Sequence, residues 1–381
     1  MPGVPLQQID DFMLANLPHW EYMKWEDFSL PLQKYYYAQR LFGNMKPDEQ
    51  SGGVLKWDVQ YDFDDNFAVT VPFDPDVTSR KNTLTQGQMF WSFVKANYTY
   101  DLREDVFNGT DTAILKWIDE KEHGLYNSFF QGMENLMFGT GPTSPTQQKP
   151  PPASMLWWIQ AYNTASGGNN NNSAYQFPAG TYSGFLGLDP PGFSSVGCGG
   201  ISSVNYPGWR NRCGTYTVFS EDDAIDTIVE CMDKCEFTPA KPYAELVSSG
   251  DADWELLTTY SRLKLARKIA QNSNDNLKGN LDKWKGTVLI RGVPLNWVPA
   301  WTNPNVATAV TNGPVLGVNW KTWKFWTKSS LNMVKSPPER DKDNHLGRWR
   351  FLDHSCQITC YSRRQNFIVT YGGSGNIQES A

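Results

Sequence analysis

Charge is scarce in this sequence and histidine scarcer: 19% of its 381 residues are Asp, Glu, Lys or Arg, and four are His. With 34 basic against 40 acidic residues, the formal net charge of −6 leaves no basic excess of the kind a dedicated nucleic-acid binder uses to neutralise phosphates. No run approaches the roughly 18 consecutive apolar residues of a membrane helix. Met1–Leu14 holds Asp10 and Asp11 where a secretory signal needs a positive start and an apolar run, so the expectation is a protein that stays in the cytoplasm where it is made. Catalytic motifs are missing as well. None of His19, His123, His345 and His354 lies in H-E-x-x-H, and there is no G-x-S-x-G, P-loop or G-x-G-x-x-G. The adjacent acids Asp64-Asp65 and Glu221-Asp222-Asp223 do not by themselves make a glycosidase pair, which is set across a cleft.

Six cysteines in a chain expected to remain in a reducing compartment should be free thiols. Cys231 and Cys235 are spaced i, i+4 in an expected helix, and Cys356 and Cys360 share one face of an expected strand. Together they could imitate a four-cysteine zinc site, but neither pair has the C-x2-C spacing of a zinc knuckle. Buried small apolar groups are the expected role. No metal, cofactor or catalytic residue is assigned.

What the chain has in abundance is aromatic side chains, 14% of the residues with 16 Trp. Trp and Tyr supply large contact area at interfaces, and equally they fill β-rich cores. Met1–Asp48 is mixed aromatic and polar. A short helix is expected from Asp10 or Asp11 until Pro18 interrupts it, and another over Lys34–Leu41. Val54–Val71 alternates: Trp57, Val59, Tyr61 and Phe63 fall on one face, and Phe67, Val69 and Val71 follow the turn Asp64-Asp65-Asn66, which predicts a β-hairpin. An isolated two-stranded hairpin is marginal in water, so it needs a partner surface, on a neighbouring molecule or on its own domain.

Met89–Tyr100 predicts another strand, and Asp111 opens the clearest helix. Ile114, Ile118, Leu125, Phe129, Met133 and Leu136 form one stripe, giving a rod about 40 Å long that Gly124 and Gly132 are expected to bend. Gly139–Ala153 is a Pro-rich spacer and Gly167–Ser173 a loop tip. Ser220 with Asp223 reads as a capping box opening a helix over Glu221–Cys235, and Trp254–Gln271 as a further helix.

The C-terminal third carries three apolar, Trp-rich strand candidates: Thr287–Trp301 (TVLIRGVPLNWVPAW), Gly313–Trp326 (GPVLGVNWKTWKFW) and Gly347–Tyr371 (GRWRFLDHSCQITCYSRRQNFIVTY). The phrases VLIRGVPL, GPVLGVN and SRRQNFIVTY, in that order, resemble the closing strands of tailed-phage major capsid proteins with the Hong Kong 97-type fold. Trp57–Phe73 resembles that family's extended hairpin, Met89–Phe138 its strand and spine helix, and Pro207–Thr217 (PGWRNRCGTYT) its Trp-Arg-Asn stretch.

The resemblance implies an α+β protomer with an N-terminal arm over residues 1–50 and an extended hairpin loop over 51–88. It implies a peripheral domain over 89–283, with spine helix 111–138 and a loop-rich insertion at 139–217, and an axial domain over 284–381 to which the insertion can contribute. Such a protein is structural, not enzymatic: hexamers and pentamers of it build an icosahedral virion shell around double-stranded DNA, without sequence specificity, in the host bacterial cytoplasm. A portal, a decoration protein in some cases and a separate scaffolding protein are the implied partners, with no membrane. The scaffolding expectation comes from the first 50 residues, which show no sustained heptads of the kind a fused scaffolding segment carries. Interface candidates are Trp20, Trp25 and Phe28 in the arm, Trp57, Tyr61, Phe63 and Phe67 in the hairpin, and Trp209, Arg210, Arg363 and Arg364. Some relatives crosslink a hairpin Lys to a neighbour's Asn; Lys56 and Lys81 have no matching acid and Asn, so no crosslink is expected. The alternative reading is an aromatic-rich carbohydrate-binding module or glycoside-acting enzyme, for which secretion would be expected.

Overall fold

The computed structural model describes residues 36–43, 45–48, 52–60, 82–101, 103, 111–160, 189–190, 192–193, 196–203, 205–235, 253–273, 288–302, 313–340 and 346–371. Tyr36–Gly43 forms the first helix (α1) and Met45–Asp48 a short strand (β1). Val54–Gln60 (β2) and Leu84–Phe90 (β3) pair antiparallel from Val54↔Phe90 to Gln60↔Leu84. Of the hairpin expected over Val54–Val71, the first strand is present as β2 and pairs with 84–90, while the stretch opening at Phe67 lies outside the described residues. Alternation identifies a strand without identifying its partner. Ser92–Asp101 (β4) follows β3 after Trp91 alone, and Asp111–Phe138 (α2) is one 28-residue helix that runs unbroken through Gly124 and Gly132.

The remaining elements are Met155–Trp158 (α3), Arg212–Tyr216 (β5), Asp226–Cys235 (α4), Trp254–Thr258 (β6), Tyr260–Ser273 (α5), Val288–Ile290 (β7) and Val293–Trp297 (β8). Val315–Asn319 (β9), Trp323–Lys328 (β10), Val334–Lys335 (β11), Glu339–Arg340 (β12), Gly347–Cys360 (β13) and Phe367–Tyr371 (β14) complete them. Two six-stranded sheets result. In the first, β13 is the axis: β4 pairs along one edge from Gly347↔Asp101 to Cys356↔Ser92, while β10, β11 and β12 share the other, with β1 added parallel to β10. The second has the order β5-β14-β9-β6-β8-β7.

The C-terminal third is therefore not one unit. β10 and β13 belong with β4, whereas β9 and β14 belong with β5 and β6, so each sheet draws strands from both sides of the boundary expected at 283/284. The helix expected over Trp254–Gln271 is also corrected. Its first residues form β6, because Leu256 and Leu257 face opposite sides of a sheet buried on both, and the helix starts only at Tyr260. At the Glu221 helix, Ser220 makes no capping bond. Asp223 Oδ2 instead turns back to accept from Thr217 N at 2.8 Å and Val218 N at 2.9 Å, and the helix opens with a π turn over Glu221–Ile225.

The second sheet separates two apolar cores. Leu316, Val318 and Ile368 face a core shared with α2, Trp158, Trp323 and Phe325; Val315, Phe367 and Val369 face one shared with α4 and α5. A sheet covered on both sides loses the polar alternation of a half-exposed one, and every residue of β9 is buried. At Gly317 a Cβ would come within 2.0 Å of Phe367 Cε1, so β9 can pass Phe367 only as glycine. Cys356 and Cys360 line the first core, their thiols pushed up by burial to about 12, while Cys231 and Cys235 line the second, the Cys231 thiol also pushed up by burial.

Candidate assembly interface

Apolar surface that a fold leaves uncovered marks a candidate contact site. β3 and β4 supply it. Trp57 and Met89 point inward, so the pleat turns Phe90 outward, 58% exposed, and beyond the buried Trp91 and Ser92, Phe93 is 73% exposed. Phe90 and Phe93 border a groove of about 930 Å³ whose lining includes Lys95, Leu331, Asp353, His354 and the run Pro150–Pro152. A second uncovered set, Leu289 and Tyr260, lies on the second sheet and the start of α5. Phe90 and Phe93 were missed as candidates. The signal was in the run Met89-Phe90-Trp91, since three consecutive apolar residues on a strand cannot all face one core.

Several residues expected at subunit contacts belong to the protomer's own interior. Trp57 is 6% exposed and packs against Trp158 and Tyr361, each with ring centroids 6.2 Å away. The indole lies directly over Gly87, where a Cβ would fall 2.4 Å from Trp57 Cε2. Trp209 is buried, its Nε1 donating to Cys198 O at 3.1 Å. Arg363 is fully buried at the centre of a polar hub. Its Nε donates to Trp158 O at 2.7 Å, Nη2 to Asn211 Oδ1 at 3.0 Å, and Nη1 lies 3.6 Å from Asp189 Oδ1. Asp189 in turn accepts from Cys198 N and Ser203 N, at 3.2 and 2.8 Å. Trp57 fills the space between α3 and the C-terminal turn, and Trp209 and Arg363 bond to described parts of the segment between α3 and β5. Arg210 is half-buried and donates from Nε to Ser203 O at 2.8 Å, whereas Arg364 is exposed. Trp20, Trp25, Phe28, Tyr61, Phe63 and Phe67 lie outside the described residues.

The N-terminal segment α1–β1 straps the two sheets together. Arg40 Nη1 donates to Glu255 Oε2 at 2.7 Å, Nη2 pairs with Asp253, and the guanidinium lies 4.8 Å from the Trp320 ring centroid. Glu255, buried in β6, also accepts from Trp320 Nε1 at 2.8 Å and Asn296 Nδ2 at 2.6 Å, so its charge is fully engaged. On the other side β1 extends the first sheet through Met45↔Phe325.

Solved structures with this arrangement exist. A capsid subunit of cyanophage A-1(L) superposes with a TM-score of 0.54 at 10% identity, covering 91% of this chain and 94% of that one. The chain has the Hong Kong 97-type capsid fold. Two further similar structures are a chain of Mycobacterium phage Bobi (TM-score 0.48, 11% identity, 92% and 95% coverage) and the SrpI encapsulin of Synechococcus elongatus PCC 7942 (0.48, 9%, 91% of each). No protein-family model matches the sequence, and the search of curated proteins finds no match either.

Proposed function

We propose that this capsid-type chain is the major capsid protein of a tailed bacteriophage, a structural protomer that assembles with copies of itself into an icosahedral shell enclosing double-stranded DNA. The observation that carries the reading is the near end-to-end match of its fold with a cyanophage capsid subunit, over 91% of this chain and 94% of the other. The first sheet with α2 takes the part of the peripheral domain, and the second sheet with α4 and α5 that of the axial domain. Hexamers and pentamers, a separate scaffolding protein and a portal belong to the same proposal, with assembly in the host cytoplasm before incorporation into the virion. Closed symmetry uses each modest contact many times over.

The carbohydrate-binding alternative needs indole faces open to a sugar. Among the described residues eight indoles are buried, Trp157, Trp158 and Trp320 among them, and Trp254, Trp297, Trp326 and Trp349 are half-buried. Electron microscopy of the purified full-length chain tests the proposal. Shells, tubes or capsomer rings are expected, and a monodisperse monomer at assembly concentrations that binds glycans would overturn it.

A further inference from the structure

Two buried ionisable side chains beside the first core have no charged partner among the described residues. Glu134, on α2, is buried; its carboxyl group accepts from the Ala38 N–H, and Oε2 has no hydrogen-bond partner. Ala38 belongs to α1, so this bond ties α2 to α1. His354, on β13, is buried with both Nδ1 and Nε2 unpartnered. Its ring sits among Phe42 of α1, Phe129 of α2 and Phe325 of β10, with centroids 5.8, 5.5 and 5.8 Å away. Charged groups on the surrounding elements are committed elsewhere. Arg40 of α1 holds Glu255 and Asp253, and Glu122 of α2 holds Lys335 and Arg350. Lys324 of β10 lies over the Tyr361 ring, and Asp353 and Lys95, a registered pair that alternates with His354 across the sheet, border the same groove as His354 without bonding to its ring. Both buried groups touch α1, so both report on whether the strap is closed.

We infer that α1 docks onto a protonated Glu134 and a neutral His354, so that closing the strap carries one proton from imidazole to carboxyl by way of solvent and leaves docking indifferent to mild acidity. The burial that leaves these atoms unpartnered pushes Glu134 up to about 7 and His354 down to about 4. The directions oppose each other. Glu134 stabilises the closed state fully below its ordinary value of 4.5, and that contribution is lost as pH rises through about 7. His354 contributes fully above its ordinary 6.5, and its contribution is lost as pH falls through about 4. Between 4.5 and 6.5 the open state holds carboxylate and imidazolium and the closed state acid and imidazole, the same proton count in both, so the two slopes cancel.

The test is the unfolding equilibrium of the full-length chain, kept dilute and unassembled, followed from pH 4.5 to 6.5 for the parent, Glu134→Gln, His354→Phe and the double variant. Relative to the parent, Glu134→Gln should gain stability as pH rises, by roughly 100-fold in equilibrium constant across the window, and His354→Phe should lose a similar factor, because each then carries one uncompensated proton. The double variant should track the parent. Single variants whose ratio to the parent stays flat, or moves with the same sign in both, would overturn the inference. Should either variant fail to fold, carbon-13 NMR of the parent at pH 5.5 decides: an un-ionised Glu134 carboxyl with a neutral His354 ring supports the assignment, and an ionised signal from either sinks it.

Discussion

Replacing Trp57 by alanine should unfold the protomer before it affects contacts between copies. The side chain is 6% exposed, its ring lies 6.2 Å from those of both Trp158 and Tyr361, and Gly87 leaves room beneath it that no other residue would. Large-to-small changes of this kind cost about 3–5 kcal/mol, since the walls of the vacated space close only in part. That is a large share of the roughly 5–15 kcal/mol by which a native protein is stable. Trp57 Nε1 has no hydrogen-bond partner, so Trp57→Phe keeps an aromatic ring and removes an unsatisfied donor whose burial costs about 1–3 kcal/mol. The phenylalanine variant should accordingly stay within about 2 kcal/mol of the parent. Urea unfolding of the unassembled chain, followed by circular dichroism beside particle yield by sedimentation, measures both effects. An alanine variant that melts within about 0.5 kcal/mol of the parent while particles vanish would refute the reasoning and return Trp57 to the interface.

Phe93→Ser should do the reverse, leaving the unfolding midpoint within about 0.5 kcal/mol of the parent while lowering particle yield, because its ring has little of the protomer to lose. Arg363→Met should cost about 3–5 kcal/mol in urea unfolding by leaving Asp189 charged and uncompensated in the interior, with Arg363→Lys intermediate because the charge survives and the fork to Trp158 and Asn211 does not. Reductant and chelator should each leave the melting temperature unchanged, as expected for six buried free thiols; stoichiometric zinc in metal analysis, lost together with the fold on chelation, would contradict this.

The long helix was legible because Leu125, Phe129 and Met133 repeat on one face, a pattern that depends on local geometry alone. The closing strands were legible as apolar, Trp-rich runs bounded by Gly and Pro. What could not be read was pairing. Nothing local in Val54–Gln60 says that its mate lies at 84–90, and nothing in Gly347–Cys360 says that it takes β4 on one edge while the strands just before it in sequence take the other. Leu256-Leu257 misled because an apolar pair suits a buried helix as well as a strand covered on both faces. The aromatic residues proposed for contacts show a further limit: composition gives the size of a side chain's apolar area but not whose atoms cover it. Trp57 and Trp209 spend theirs inside the chain, and Phe93 keeps its own outside.

β13 runs for 14 residues, about 46 Å at 3.3 Å per residue, and ten of them are registered against β4 without a break. Such a ribbon has a direction of strength. Tension along its length loads every rung of the ladder together, in shear, while tension across it opens the rungs one after another like a zip. With β10, β11 and β12 holding the opposite edge of the same strand, a pull on either end of β13 is shared with strands on both flanks. The molecule should therefore stretch least along this axis, and a single-molecule pull applied at its two ends should rupture at a higher force than one applied across β4 and β13.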